Sequence, residues 1–347
     1  MWQGLLLCAL VSLAGIGAAA LPGLADSGVS PLVFALLMGL VLGNIPGKKL
    51  YDHLPGNLSN QLRLERAGPG LAFATRWLLR GGIVLFGLSL TFGQVMALGP
   101  RILLLDLLVI SSVLVIGYQL GTRWLGMDRE TALLTSAGSA ICGAAAVLAT
   151  ETTIRARPAA TSMAVATVVL FGSLAMLVYP LLYPLTGMPE GLYGIYIGAT
   201  VHEVAQVVAA GEAVGPEALA NAVIVKLVRV MLLVPFLLIV GRWWLSRTTD
   251  DADKGAGRPA GGMTIPWFAF GFVAMVIFNS LVTLPAPMHE GLVIIGQLAL
   301  TMAMAALGLS TRLASLKALG VKPLILALCL FTLLMLGGGL ASLALMG

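Results

Sequence analysis

The chain has 347 residues, of which 59% are apolar and only 10% are charged, and its formal net charge is +5. A soluble globular protein carries about 25% charged residues, so this chain cannot cover a water-exposed surface. The small positive charge does not indicate nucleic-acid binding, because most basic residues lie in short segments between apolar runs. The sequence lacks the alternation of a membrane β-barrel, which leaves helices to satisfy the backbone in lipid. We therefore predict an all-α polytopic membrane protein.

Eleven apolar runs approach the length of about 20 residues that a membrane span requires. In chain order they cover residues 2–22, 31–44, 70–92, 101–122, 131–150, 158–182, 190–210, 218–241, 265–284, 291–311 and 323–346. We interpret the first run as a retained helix, because it has no basic segment before it and is long for a signal peptide. A polar, Gly-rich stretch at 246–263 predicts a cytoplasmic linker between two transmembrane blocks, 1–245 and 264–347.

The basic residues predict an orientation. With a cytoplasmic N-terminus, nearly all Lys and Arg residues outside the spans fall on the cytoplasmic side, and only Arg101, Arg155 and Arg157 fall on the other. Such a bias is typical of inner-membrane topology. It predicts a cytoplasmic N-terminus, a periplasmic C-terminus and an odd number of spans.

Two segments suggest an internal repeat. Residues 87–105 and 308–326 are identical at eight of nineteen positions, including Gly-Leu-Ser and Ala-Leu-Gly. Seven predicted spans separate the copies, which would therefore run through the membrane in opposite directions, as in secondary transporters with inverted repeats. A chance likeness between two Gly- and Leu-rich helix ends is the alternative. A weaker likeness between 138–149 and 198–209 implies parallel copies and does not fit the same scheme.

Ionisable residues inside two spans mark a candidate site. The seventh span carries His202, Glu203 and Gln206 near its middle, and the eighth carries Lys226 and Arg229 three residues apart on one helix face. This cluster has a net charge of plus one or two, since His202 titrates near neutrality. Arg and Lys suit a sulfate, sulfonate or carboxylate. The alternative is a structural ion pair between Glu203 and Arg229 that pins two helices together.

The fifth span carries a second candidate segment, TSAGSAICGAAAV at 135–147. Its small residues allow either a close helix crossing or a broken helix whose free N–H groups face an anion. In the second interpretation, Gly138, Ser139, Cys142 and Gly143 line the site. Asp106, near the start of the fourth span, is expected to reach towards Arg101 at the membrane surface. The spacing of the three Cys residues predicts neither a disulfide nor a metal site, and we expect no cofactor.

Four segments carry a resemblance to a known family: 78–91 (LLRGGIVLFGLSLT), 138–147 (GSAICGAAAV), 198–211 (GATVHEVAQVVAAG) and 222–233 (AVIVKLVRVMLL). In this order they resemble the YeiH-type sulfate exporter family of bacterial inner-membrane proteins, over nearly the whole chain. The third and fifth spans are also similar to those of the cation/proton antiporter and bile-acid symporter group. These resemblances imply crossing broken helices, a core domain that moves against a panel domain as an elevator, a homodimer and sulfate as substrate.

The leading hypothesis is a secondary transporter for sulfate, sulfite or a sulfonate. Lys226 and Arg229 would hold the anion, with help from Ser139 and backbone amides of the fifth span, and His202 or Glu203 would carry a coupling proton. This requires the 138–143 segment and the charged cluster to lie within about 15 Å of each other. A cation/proton antiporter that uses Glu203 is the alternative. A receptor would need larger aqueous domains, and an enzyme would need a metal-ligand set, an activated nucleophile or paired acids, so neither is expected.

Overall fold

The computed structural model describes residues 1–21, 31–44, 64–248, 267–310 and 320–347, which are helical and contain no strand. Seven helices in this part are long and apolar enough to cross a membrane. They are Trp2–Ala19, Ala67–Ser89, Arg101–Trp124, Pro158–Thr186, Pro216–Trp244, Ala286–Ser310 and Val321–Met346. The chain is therefore an all-helical, polytopic membrane protein. Most of the linker 246–263, and residues 311–319 of the second repeat copy, lie outside the described residues.

The chain forms two compact units, and each combines segments from both predicted transmembrane blocks. Unit 1 comprises Met1–Ala97, Glu212–Val214 and Trp267–Lys317, and unit 2 comprises Leu98–Gly211, Gly215–Pro266 and Ala318–Gly347. Compact units therefore do not follow chain order.

The helices of unit 1 pack closely through small residues. They are α1 (Trp2–Ala19), α2 (Pro31–Asn44), α3 (Leu64–Phe73), α4 (Leu79–Phe86), α5 (Phe92–Ala97), α14 (Trp267–Leu281) and α15 (Ala286–Ser310). A π-helical turn, Ala74–Leu78, joins α3 to α4. An added Cβ at Gly39 of α2 would lie 2.5 Å from the Ala305 carbonyl oxygen of α15, so only glycine permits this contact.

Unit 2 contains the helices that carry the predicted site. They are α6 (Arg101–Gln119), α7 (Arg129–Ala140), α8 (Ala144–Ile154), α9 (Pro158–Thr186), α10 (Glu190–Thr200), α11 (Val204–Glu212), α12 (Pro216–Met231), α13 (Leu233–Thr248) and α16 (Val321–Met346). The helices α7, α8, α10 and α11 have 9 to 12 residues each. At 1.5 Å per residue, each is about half the length needed to cross the hydrocarbon core.

The fifth predicted span is a re-entrant hairpin and not a membrane crossing. Helix α7 ends at Ala140 and α8 begins at Ala144. After α8, Arg157 returns to the start of α7, where its guanidinium lies 2.9 Å from both Asp128 and Glu130. The first hairpin, α7–α8, therefore begins and ends on the same side of the membrane. The prediction that residues 131–150 cross the membrane is wrong, because two half-length helices folded back on each other resemble one full span in sequence.

Hydrogen bonds fix the base of the first hairpin. Asp128 is the N-cap of α7 and accepts hydrogen bonds from the backbone and the hydroxyl of Thr131. Burial raises the pKa of the Asp128 carboxyl, but these hydrogen bonds and the charge of Arg157 outweigh it and hold the pKa below its ordinary value. The base of the hairpin is thus a charged, water-facing feature.

The seventh predicted span is a second hairpin, α10–α11. Glu190, at the start of α10, accepts hydrogen bonds from the backbone N–H groups of Glu217 and Ala218 at the start of α12. Close contacts from Gly194 to Ala218 and from Gly198 to Ala222 show that α10 and α12 run side by side in the same direction. Helix α11 therefore returns to the side from which α10 started. The prediction that residues 190–210 cross the membrane is also wrong.

The two hairpins enter from opposite sides, because α9 alone connects them and spans the membrane. The segments 138–149 and 198–209, which share the weaker sequence likeness, each include the tip of a hairpin.

Cysteine labelling from one side of the membrane tests the hairpins. Single cysteines at Trp124 and Ala159 should react with an impermeant maleimide from the same side, because α7–α8 returns. Cysteines at Thr186 and Glu217 should both react from the other side. All four positions are exposed. If α7–α8 crossed the membrane, Trp124 and Ala159 would label from opposite sides.

Candidate functional site

The tip of the first hairpin is a break in helical backbone inside unit 2. Helix α7 stops at Ala140, and Ile141 and Cys142 lead to Gly143 with φ +66° and ψ −135°. Residues other than glycine rarely adopt this conformation, so Gly143 permits the reversal. Gly138, which we predicted to line the site, lies within α7, where an added Cβ would contact Val147 and Val168. The break is therefore shorter than predicted, at residues 141–143.

The tip of the second hairpin is a capped helix start. Val201 is extended after α10, and α11 begins at Val204. The backbone N–H of Glu203 donates a hydrogen bond of 3.0 Å to the side-chain Oε1 of Gln206. This is half of a capping box, in which a residue in the first turn reaches back to the cap. His202 and Glu203 thus occupy the turn between the half-helices.

Lys226 and Arg229 of α12 bind the carboxyl ends of both broken helices. The Lys226 Nζ donates to the carbonyl oxygens of Ile141 and Val201, at 2.7 and 2.8 Å. The Arg229 guanidinium donates to the carbonyls of Ser139, Ala140 and Ala199. These carbonyls lie in the last turns of α7 and α10, where the helix itself supplies no donors and its dipole is negative.

These hydrogen bonds show how Lys226 and Arg229 are held. Both side chains are fully buried and donate most of their N–H groups to backbone oxygens, while an ammonium has three N–H groups and a guanidinium five. No ion pair joins Glu203 to Arg229 among the described residues. A helix pattern cannot show that a cation will bind backbone carbonyls from two other segments. The contacts do bring the break and the charged cluster together, as a single site requires.

Glu203 binds across the gap between the hairpins. Its Oε1 accepts a hydrogen bond of 3.2 Å from the backbone N–H of Ala144, the first residue of α8. The N-cap position of α8 is Gly143, which has no side chain to cap the helix. The Glu203 carboxylate therefore binds at the positive end of α8, in the place where an external anion would be stabilised.

Several buried polar atoms around the breaks have no hydrogen-bond partner in the described part of the chain. They are Asp106 Oδ1 and Oδ2, Thr135 Oγ1, Ser139 Oγ, Thr150 Oγ1, His202 Nδ1 and Gln206 Nε2. Buried polar groups are nearly always paired, so a concentration of unpaired ones indicates bound water or a ligand. The Gln206 amide is the best located, because its Oε1 holds the start of α11 while its Nε2 is an unused donor.

Asp106 is the residue of this cluster that the sequence placed incorrectly. It is fully buried, and it lies close enough to Arg229 and Lys226 to interact with them electrostatically. Its predicted reach towards Arg101 is therefore wrong, because α6 packs inside unit 2 rather than facing water at that depth. Asp106 adds a second buried acid to the cluster of Glu203, Lys226 and Arg229, which the sequence interpretation did not include.

A glycine on α9 allows that helix to approach the side chain of Gln206 closely. An added Cβ at Gly172 of α9 would lie 2.1 Å from Oε1 of Gln206, so α9 packs directly on this amide. The predicted site residues Ser139, Cys142, Gly143, His202, Glu203, Gln206, Lys226 and Arg229 therefore all lie at or next to the two hairpin tips. The sequence alone gave no signal for the role of Gly172.

Comparison with known proteins places the chain in a family. Residues 3–327 match the family model described as Conserved hypothetical protein 698. The UPF0324 inner membrane protein YeiH of Salmonella typhi is 44% identical over 345 residues, covering 98% of this chain and 93% of the relative. YeiH of Escherichia coli K12 is 43% identical, with 97% and 92% covered, and a UPF0324 membrane protein of Pseudomonas aeruginosa is 44% identical, with 95% and 91% covered.

No solved structure matches the chain. The alignments cover nearly the whole length of this chain and of each relative. The hairpins, Lys226 and Arg229 therefore lie within the matched region. The relatives are described as inner membrane proteins, in agreement with the apolar helices found here. The chain belongs to the UPF0324 family of inner membrane proteins, which includes YeiH.

Proposed function

We propose that the chain is a secondary transporter for a small anion such as sulfate, sulfite or a sulfonate. The observation that carries this proposal is the meeting of two opposed, broken-helix hairpins around unused buried donors. Irregular backbone at membrane depth is tolerated where it is buried in protein or lines a cavity, and discontinuous helices are typical of transporter substrate sites. The proposal involves no enzymatic reaction, metal or cofactor.

The anion would bind at the amino ends of the second half-helices. Ser139 Oγ and Gln206 Nε2 are unused and can donate, as can His202 Nδ1 in the tautomer that carries its proton there. The backbone N–H of Ala144 already binds one carboxylate oxygen. Lys226 and Arg229 would contribute indirectly, by neutralising the carbonyl ends that would otherwise repel an anion.

Glu203 would couple the anion to a proton. Its carboxylate occupies the start of α8, where its Oε1 accepts a hydrogen bond from the backbone N–H of Ala144. Protonation would weaken its bond to Ala144 N–H and remove the negative charge beside the site. A substrate oxygen can then replace the Glu203 carboxylate at the start of α8, so that proton and anion bind together. His202 and Cys142 lie at the same two tips and are the other side chains there that can gain or lose a proton.

The proposed mechanism is an elevator in which unit 2 is the core that carries the substrate and unit 1 is the panel, which would also form a homodimer. This proposal includes an inverted repeat. It also includes eleven membrane segments, of which nine cross the membrane and two are hairpins. Within unit 2, the ends of the first hairpin and the helix ends beside it carry Arg123, Arg129, Arg155, Arg157 and Arg242. Arg155 and Arg157 are therefore on the same side as Arg129, and not on the opposite side as eleven crossings would require. Arg101 lies at the opposite end of α6. By the positive-inside rule, we propose that the first hairpin opens to the cytoplasm.

Counterflow of labelled sulfate and sulfite into proteoliposomes tests the proposal. Ser139→Ala and Gln206→Leu each remove one unused donor, and we expect uptake to fall about tenfold or more, since a hydrogen bond to a charged group contributes about 1.5–3 kcal/mol. Ser112→Ala on α6 and Gln119→Leu at the end of α6 make the same chemical changes outside the hairpins and should transport normally. The absence of flux in the folded parent protein would refute anion transport.

Glu203→Gln tests the coupling separately. The glutamine Oε1 can still accept the Ala144 N–H, so the hairpins should stay joined, but the side chain cannot exchange a proton. We expect an imposed pH gradient to accelerate anion uptake several-fold in the parent and to have no effect in the variant. Retained stimulation in Glu203→Gln would assign the proton to another residue.

A cation/proton antiporter is the second candidate, and the buried Asp106 supports it. Asp106 adds a second acid to Glu203, and neither of its oxygens has a hydrogen-bond partner in the described part of the chain. Such a carrier would exchange Na⁺ or K⁺ for protons across liposomes that show no sulfate counterflow. Loss of this exchange in Asp106→Asn would replace the anion proposal with the antiporter.

A further inference from the structure

Unit 2 contains a cavity whose lining includes no residue of the hairpin tips. It has a volume of about 670 Å³ and lies between the end of α6, the π-helical turn Leu120–Trp124, the start of α7 and α13. Its walls come from one compact unit. A cavity of this size holds a substantial part of a lipid-sized molecule.

The cavity changes from polar to apolar along its length. Arg123 and Arg129 line one end, while Leu114, Leu133 and Ile239 line the other. Leu114 and Arg123 are nine residues apart, or roughly 14 Å along a helix of 1.5 Å rise per residue. A ligand that fills the groove must combine a polar, negatively charged head with an apolar chain.

The positive charge at the polar end is not neutralised by the acids closest in sequence. Asp128 and Glu130 both bind Arg157, at 2.9 Å in each case. Neither Arg123 nor Arg129 forms an ion pair within the described ranges. Arg129 also occupies the first position of α7, where the positive end of the helix dipole disfavours a cation. A bound anion would stabilise both guanidinium groups.

Aromatic side chains mark the polar end as a membrane interface. Tyr118 and Trp243 both line the cavity and pack edge to face, with ring centroids 5.2 Å apart. Tyr and Trp concentrate at the level of lipid headgroups, because each combines an apolar ring with a polar group. The cavity therefore has its charged end at headgroup depth and its apolar end towards the hydrocarbon.

From this geometry we propose that the groove binds one anionic phospholipid. Arg123 and Arg129 contact its phosphate, and one acyl chain lies along Leu114, Leu133 and Ile239. A basic pocket between transmembrane helices is a recognised type of site for acidic headgroups. A zwitterionic lipid supplies no net charge, and a free phosphate leaves the apolar half unfilled. The proposal does not depend on what the hairpin site transports.

Native mass spectrometry of the full chain in a neutral detergent tests this site. We expect one phosphatidylglycerol to remain bound, with at least tenfold preference over phosphatidylcholine, and inorganic phosphate to bind much more weakly. The Arg123→Gln/Arg129→Gln double variant should lose this preference, and Arg101→Gln, at the far end of α6, should keep it. Melting in phosphatidylcholine alone checks that each variant is folded.

A variant at the apolar end of the cavity distinguishes binding of a whole lipid from binding of its headgroup alone. Ile239 is 69% exposed, so Ile239→Gln should fold normally but weaken phosphatidylglycerol binding several-fold, leaving the weak binding of glycerol phosphate unchanged. Equal binding of phosphatidylcholine and phosphatidylglycerol by the parent would overturn the proposal. So would inorganic phosphate binding as tightly as the lipid, or full retention of the preference in the double variant.

Discussion

Replacing Arg229 with glutamine is expected to destabilise the protein by about 3–5 kcal/mol and to abolish transport. The guanidinium donates to carbonyls at the ends of both α7 and α10, and the side chain is fully buried. Glutamine is too short and has too few donors to satisfy them. Each backbone carbonyl left buried without a partner costs about 1–3 kcal/mol. Thermal melting in detergent, followed by counterflow on the folded fraction, measures both effects.

Arg229→Lys and Arg101→Gln are the matching controls. Lysine retains the charge but not the planar fork that reaches Ala140 and Ala199 together, so we expect partial loss of stability. Arg101→Gln removes an exposed guanidinium from the start of α6 and should melt like the parent. An Arg229→Gln variant with unchanged melting temperature would show that the hairpin ends do not depend on this residue.

Gly143→Ala is expected to destabilise the first hairpin tip by about 2–4 kcal/mol and to disconnect it from Glu203. The residue has φ +66°, and an added Cβ would lie 2.4 Å from Cγ of Glu203. The Glu203 side chain would have to move, and its bond to Ala144 would break. Melting reports the strain, and loss of the response to a pH gradient reports the displaced carboxylate.

Gly187→Ala is the control for a positive-φ glycine without a clash. Gly187 has φ +66° and ψ 9°, in the left-handed helical region that alanine can enter at a small cost, and an added Cβ there would have no atom within 4 Å. We expect this substitution to cost about 1 kcal/mol and to leave proton coupling intact. If both alanine variants behaved alike, the contact between Gly143 and Glu203 would have no role in coupling.

The residues of the site were largely predictable, because charges within apolar runs are conspicuous. Glu203, Lys226 and Arg229 stand out in the sequence, and the small residues around Ser139 mark a weak point in a helix. Their partners were not predictable, since Lys226 and Arg229 bind backbone oxygens that no side-chain pattern reveals. Asp106 was misplaced for a related reason: its depth depends on how α6 packs and not on its distance from the start of the run.

A break in the fifth span was one of the two interpretations of its small residues, but the return of each hairpin to its own side was missed because length alone defined a span. The segments 131–150 and 190–210 are about as long as a crossing, and nothing in their apolar content distinguishes one long helix from two short ones. One signal was present for the first segment, since Asp128 and Glu130 precede it and Arg157 follows it. The second segment had no such signal, because Glu190 binds backbone N–H groups and not an opposite charge. Opposite charges that flank a segment favour ends that meet over ends on opposite sides of the membrane.

The location of Lys226 and Arg229 on α12 has a consequence for how the protein is made. Helices α7, α8, α10 and α11 are synthesised before α12, and each is too short to cross the bilayer alone. Until α12 emerges, the carbonyl ends of α7 and α10 lack the donors that bind them in the finished fold. We therefore expect the hairpins to lack a stable fold until α12 has been synthesised. A chain truncated before residue 226 should be degraded, even though its earlier spans insert normally.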